Sequence, residues 1–240
     1  MNRAVRDTLV AVASAATAVT ATYFAAVRPW VYRWGATDEE IERELPGDEL
    51  LNDPALETTR AVTINATPAE IWPWLVQIGQ DRGGFYSYEW LENLFKLDIH
   101  NADDIEPEFQ DLEVDDFIAL APQDAVGMMV ARIDPERALV LLAPERDFAE
   151  PIHSPIDEDE LELETSWAFV LDPVSEDKTR LLVRFRLRHE PSLATSFLRE
   201  AILGPVHFLM ERKMLLGIKE RVEANRVEND LAVYRLAHVA

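Results

Sequence analysis

Four side chains have the chemistry to orient or protonate a small molecule: Arg82 within a glycine-rich bend, Tyr86 and Tyr88 just beyond it, and His207, far along the chain. A guanidinium and two phenols supply donors, and an imidazole can move a proton near neutral pH. Their spacing matches no established catalytic pattern. There is no G-x-S-x-G elbow, no H-E-x-x-H pair, no G-x-G-x-x-G and no Gly-Lys-Ser/Thr. His100, His153, His189, His207 and His238 are scattered without ligand-like spacing. His100 lies in the acidic stretch Asp98–Asp116 and could bind a metal, but a solvated acidic surface explains that stretch more simply. No catalytic residue, metal or cofactor is therefore assigned. His207 reads equally as a satisfied histidine of a packed helix. Gly79, Gly83 and Gly84 read as a helix C-cap and tight turn, or as a cavity-mouth loop where a ligand approaches the backbone.

The elements that must hold these groups are clearer. In Arg60–Asn65, Val62 and Ile64 share one face, the period of a half-buried strand. Thr67-Pro68-Ala69-Glu70 is a capping box with proline at the first helical position. The helix it opens places Ile71, Leu75 and Ile78 on one side, and Pro73 predicts a bend between Trp72 and Trp74. Short strands are predicted over 117–121, 128–133 and 138–143, the last two joined by a turn at Asp134-Pro135-Glu136-Arg137. Two long strands follow. Leu161, Leu163, Thr165, Trp167, Phe169 and Leu171 alternate with Glu160, Glu162, Glu164, Ser166, Ala168 and Val170, and Leu181, Val183, Phe185 and Leu187 alternate with Leu182, Arg184, Arg186 and Arg188. They predict an antiparallel hairpin with odd residues inward, Trp167 opposite Val183 or Phe185, and Glu164 opposite Arg186 or Arg188. The even positions predict a glutamate stripe paired with an arginine stripe on the outside. Glu145–Pro155 is an irregular stretch that reads as a lid or an ordinary loop. A closing helix is predicted from about Thr195 to Ala224, with Leu198, Ile202, Val206, Met210, Met214 and Ile218 apolar and a kink or late start at Gly204-Pro205.

A strand, then Ala66, Pro68, Ile71, Trp72 and Leu75 in the pattern Ala-x-Pro-x-x-Ile-Trp-x-x-Leu, then strands and a long C-terminal helix, resembles the START-like SRPBCC superfamily of polyketide cyclases and lipid-transfer proteins. The resemblance spans about Thr58 to Ala224. It implies an α+β helix-grip fold: a curved antiparallel sheet around a long C-terminal helix, with a hydrophobic pocket between them. Activities vary widely on this fold, so function must come from the pocket. The inward faces and helix periodicity name Trp72, Tyr86, Tyr88, Trp90, Trp167, Phe185, Val206 and Met210 as candidate lining residues, with Arg82 and His207 as polar groups near the ligand.

Composition narrows the partners. The net charge of −22 lacks the basic footprint of a nucleic-acid binder. Many carboxylates with only four lysines suggest adaptation to high salt. The absence of cysteine excludes disulfides, thiol catalysis and an iron–sulfur Rieske domain in this chain. Thr8–Val27 carries no charge and is long enough to cross a bilayer as a helix, with Arg28, Trp30, Tyr32, Arg33 and Trp34 as an interfacial belt. A cleaved secretory signal, or an amphiphilic helix packed on the domain, reads the same run differently. The expected layout is an N-terminal transmembrane anchor over 1–34, a linker over 35–57 and a ligand-binding domain over 58–240. The expected function is membrane-tethered binding or transfer of a hydrophobic small molecule or lipid. A cyclase- or dehydratase-like enzyme in the same cavity, and an interaction module whose cavity is filled by its own aromatics, are the alternatives.

Overall fold

The computed structural model describes residues 5–6, 14–15, 17–18, 21–94, 96–122, 126–143, 164–188 and 204–239. Six strands form one antiparallel sheet: β1 (Leu56–Ile64), β2 (Phe117–Ala119), β3 (Gly127–Asp134), β4 (Ala138–Ala143), β5 (Glu164–Ser175) and β6 (Lys178–Arg188), in the order β1-β6-β5-β4-β3-β2. The helices are α1 (Arg28–Tyr32), α2 (Asp38–Glu42), α3 (Pro68–Val76), α4 (Glu89–Leu94) and α5 (Gly204–Val239). Sheet and C-terminal helix have the helix-grip arrangement.

The hairpin has the predicted register. Trp167 opposes Phe185 and Glu164 opposes Arg188, and every opposed pair from there to Pro173↔Thr179 adds to an even total. Odd residues Phe169, Leu171, Leu181 and Val183 join the main core with Ile71, Leu75 and Ile78 near α3 and Met214, Ile218 and Val222 of α5. Both bonds of the Thr67–Glu70 capping box form. The helix it opens continues through Pro73 to Val76, with Trp74 buried and Trp72 partly buried against the core. Gly217 lets α5 close on the rest: a Cβ there would meet the Tyr86 carbonyl oxygen at 2.3 Å.

The outward arginine stripe is corrected. Arg184 is 2% exposed, not solvated, because residues 35–51 lie over that face of the sheet. Leu45 packs with Ala61, Ala138, Val170 and Leu182 in a second core. Arg180 grips Glu40 with two bonds of 2.8 and 2.7 Å, Arg184 reaches Asp48 at 2.5 Å, and Arg186 donates to the Asp48 carbonyl at 2.6 Å and across the ladder to Glu57 of β1 at 2.6 Å. Only Arg188 keeps the predicted β5 partner, Glu164. Most of the stretch read as a linker is thus a covering layer, and its end, Leu56 and Glu57, begins β1. The apolar even positions of both strands contact that layer, which a period-two pattern with a wet outer face does not anticipate.

The membrane anchor is also corrected. Among the described residues, no helix is long and apolar enough to cross a membrane. This overturns the single-pass reading of Thr8–Val27 and the membrane localisation drawn from it. The run is rich in alanine and threonine, so its length outstrips its hydrophobicity. Residues 7–13, 16 and 19–20 of this region lie outside the described residues. Its C-terminal end is a π-helical turn, Tyr23–Val27, leading into α1. There Trp30 packs edge-on to Phe208 at 5.2 Å, and the buried Val31 offers its carbonyl to Arg60 Nε at 2.9 Å. The candidate lid at Glu145–Pro155, His153, His189 and the helix start before Gly204 also lie outside the described residues.

Candidate functional site

Between the sheet and α5 lies a cavity of about 410 Å³. The sheet side contributes Met128, Thr165, Trp167 and Phe185, with Leu120 just after β2. The N-terminal half of α5 contributes His207, Met210, Glu211 and Met214. The third wall is Phe85, Ser87, Leu97 and Ile99 around α4, together with Glu92 from α4 itself. Both local periodicities are at work. Thr165, Trp167 and Phe185 are inward odd positions, and 207, 210, 211 and 214 are successive turns on one helix face.

Of the ten residues named from sequence, the cavity wall contains Trp167, Phe185, His207 and Met210. The other six are placed elsewhere. Arg82 donates to the carbonyls of Val76 and Phe109 at 2.9 and 3.0 Å, tying the bend to the acidic stretch instead of facing a ligand. Tyr86 is wholly buried with its hydroxyl on Trp74 O at 3.1 Å, and burial raises its phenol far above the ordinary range. Tyr88 stacks edge-on with Trp90, itself 66% exposed. Val206 is exposed beside the helix face that lines the cavity, and Trp72 packs against the core from α3. The glycine bend is a closed turn: Gly79 N reaches Gly84 O at 3.1 Å and Gly84 N returns to Gly79 O at 3.0 Å. His100 is exposed beside Asp98, and no group of three or more metal-ligating acidic or histidine side chains occurs among the described residues.

Two polar features of the wall escaped the sequence reading. The first is a buried network. Arg60 and Glu211 form an ion pair with each side chain 1% exposed. Trp167 Nε1 donates to the other Glu211 oxygen at 3.0 Å, and His207 Nδ1 lies 3.4 Å from the Arg60 guanidinium. Desolvation lowers the His207 pKa and the Arg60 charge lowers it further, against the opposing pull of Glu211. The imidazole is therefore neutral at physiological pH. Its ring packs on Phe185 at 4.4 Å between centroids. A signal existed in the chain: Arg60 is in phase with the inward Val62 and Ile64, and Glu211 sits on the apolar stripe of α5. Each charge on a buried face calls for the other.

The second feature is Glu92. It is 4% exposed, and among the described residues its Oε2 has no hydrogen-bond partner. The helix carrying it is pinned by its neighbours. Glu89 accepts from Asn101 N at 2.7 Å, and Asn93 bonds both N and O of Ile99 at 2.8 and 3.1 Å. Burial, assisted by the nearby Glu89 charge, raises the Glu92 pKa from 4.5 to about 7. Between those values the folded chain holds a proton that the unfolded chain releases, so Glu92 favours folding fully below about pH 4.5 and loses that contribution as the pH rises to about 7. Glu92→Gln is expected to remove this dependence. Urea unfolding of both proteins should show the variant gaining on the order of 2–3 kcal/mol relative to wild type between acid and mildly alkaline pH. Parallel pH profiles would show that the carboxyl is hydrated instead.

No family model matches the chain, and no curated protein matches it in sequence. Among solved structures it is similar to norcoclaurine synthase from Thalictrum flavum, at 12% identity over 70% of this chain and 92% of that one, with a TM-score of 0.39. Aha1 from Colwellia psychrerythraea matches at 16% identity over 70% and 96%, with a TM-score of 0.34. A protein from Mesorhizobium loti matches at 14% identity over 69% and 97%, with a TM-score of 0.37. Likeness this distant assigns no activity to the chain, so the reading of the cavity rests on its own residues.

Proposed function

We propose that this chain is a START-like SRPBCC protein that binds a hydrophobic small molecule or lipid between its sheet and C-terminal helix. The observation that carries the reading is the cavity of about 410 Å³ with a largely apolar wall. That volume falls in the ~300–1,000 Å³ range of small-molecule sites and far exceeds the voids of an ordinary core. It also argues against an interaction module whose own aromatics fill the space. Trp167, Phe185 and Met210 supply contact area, and His207 a polar handle.

The direct test is titration with a neutral fluorescent probe, N-phenyl-1-naphthylamine, followed through its emission and Trp167 quenching. Thr165→Phe puts a ring into the cavity at a strand position that tolerates aromatics. It is expected to weaken probe binding by about tenfold or more, with the thermal midpoint changed by no more than a few degrees. Binding that is absent in wild type, or unchanged in Thr165→Phe, would remove this reading. Native mass spectrometry with lipid extraction, on protein from its own host, would then identify the cargo.

An enzyme of the cyclase or dehydratase kind is the second reading. It is favoured by two ionisable groups in the wall, Glu92, raised to about 7, and His207, whose pKa burial lowers so that a neutral imidazole faces the cavity. Turnover of an extracted cargo that is lost in both Glu92→Gln and His207→Gln would select it; release of the cargo unchanged would select binding or transfer.

A further inference from the structure

The unpaired Glu92 oxygen in the cavity wall narrows the ligand class, given the binding reading above. We propose that the cavity takes an apolar molecule carrying a protonated amine, with the amine seated on Glu92 and the apolar body against Trp167, Phe185 and Met210.

The polar inventory of the wall points this way. Glu211 is already neutralised by Arg60 and accepts from Trp167. The Ser87 hydroxyl is spent on Met210 O at 3.0 Å. His207 is held neutral by desolvation and by Arg60. Glu92 is different. It is more than nine-tenths buried, its Oε2 is unsatisfied, and the charge nearest on its own helix is another carboxylate, Glu89. Across the cavity the titratable groups are His207 and the Arg60-paired Glu211. Among the described residues, none of these supplies a cation to Glu92.

A buried acceptor left unmade is costly, and a buried carboxylate without a counter-charge is more so. A ligand that brings a cation to Oε2 relieves both penalties. A hydroxyl relieves only the first, and a carboxylate adds to the second. The same logic makes amine binding pull the proton off Glu92, so the preference strengthens as the pH rises through its titration near 7.

Three probes of matched shape test this: 2-naphthylmethylamine, 2-naphthylmethanol and 2-naphthoate. Each is titrated into the full chain by calorimetry and Trp fluorescence, in about 0.5 M salt so that the acidic surface is screened. At about pH 8 the amine is expected to bind about tenfold or more tightly than the alcohol, and the carboxylate weakest. The amine's advantage should shrink at least several-fold by about pH 5.5, as Glu92 takes up its proton. In Glu92→Gln the amine and alcohol should bind alike while the alcohol's own affinity holds within about threefold. Equal binding of amine and alcohol to wild type at the higher pH overturns the amine assignment and leaves the binding reading intact. So does an amine preference that survives in Glu92→Gln. Failure of all three probes overturns the binding reading itself, and this inference with it.

Discussion

Glu211→Ala should lower the unfolding free energy by about 3–5 kcal/mol, the largest loss expected from one substitution in the cavity wall. Glu211 and Arg60 are both 1% exposed, so truncating the acid strands a guanidinium where water cannot reach it. Arg60 would retain the Val31 carbonyl at 2.9 Å, the neutral His207 and the Phe208 ring, none of them an anion. Trp167 Nε1 would lose its acceptor as well, adding an unsatisfied buried donor. At this chain length the loss corresponds to roughly 10 °C in thermal midpoint. A second variant separates the stranded charge from lost packing. Arg60→Leu with Glu211→Gln removes both charges yet keeps an amide oxygen for Trp167, and should recover most of the loss, because a buried pair is near break-even against apolar replacement. Urea unfolding of wild type, single and double variants checks this. A loss below about 1 kcal/mol in Glu211→Ala would mean that the pair is hydrated.

How much of this was legible depended on whether periodicity or partnership carried the information. The β5–β6 hairpin was readable to the residue, because a strand that buries one set of side chains admits only one parity of register; Trp167 faces Phe185 for that reason. The cap at Thr67 was readable because its bonds lie within four residues. The outer face of the same hairpin was misread because its partners lie far away in sequence, as Arg184 and Asp48, 136 residues apart, show. A basic stripe on a strand looks the same whether water or a folded-back segment covers it. Thr8–Val27 was misread because length and lack of charge were weighed above its small, weakly apolar residues.

The cavity wall divides along the same line. Trp167 and Phe185 came from strand alternation, and His207 and Met210 lie on the long helix. Arg82, Tyr86 and Tyr88 were chosen by residue type beside a flexible-looking bend. The bend instead closes on itself, and Tyr86, at φ 54°, is locked under α5 with its hydroxyl spent on the backbone. Arg60 and Glu211 were each in phase with an apolar face, a contradiction that two buried charges resolve by pairing. Glu92 offered no such phase, since α4 has only six residues and too few turns to define a buried side.

The covering layer makes the other large prediction. Arg184 spends all five of its donors on neighbours: Thr59 at 2.9 Å, the carbonyls of Glu40, Ile41 and Arg43 at 3.0, 2.8 and 3.0 Å, and Asp48 at 2.5 Å. Its fork fits these acceptors where a lysine point charge would not. Arg184→Met keeps much of the apolar stem but leaves three carbonyls and part of Asp48 without donors, a loss of about 3–5 kcal/mol. The loss should be local first. Arg180 still holds Glu40, and Arg186 still donates to the carbonyls of Asp48 and Leu51 at 2.6 and 3.2 Å, so the layer should loosen at its centre before the sheet unfolds. Hydrogen exchange is expected to rise across 38–51 by about tenfold or more while β5 and β6 keep their protection. Affinity for a cavity probe should stay within about twofold, because Arg184 and the cavity lie on opposite faces of the sheet. Loss of protection spread evenly through all six strands, with none concentrated in 38–51, would mean that the covering segment and the sheet open as one cooperative unit and that Arg184 stabilises the whole fold rather than the attachment of this segment.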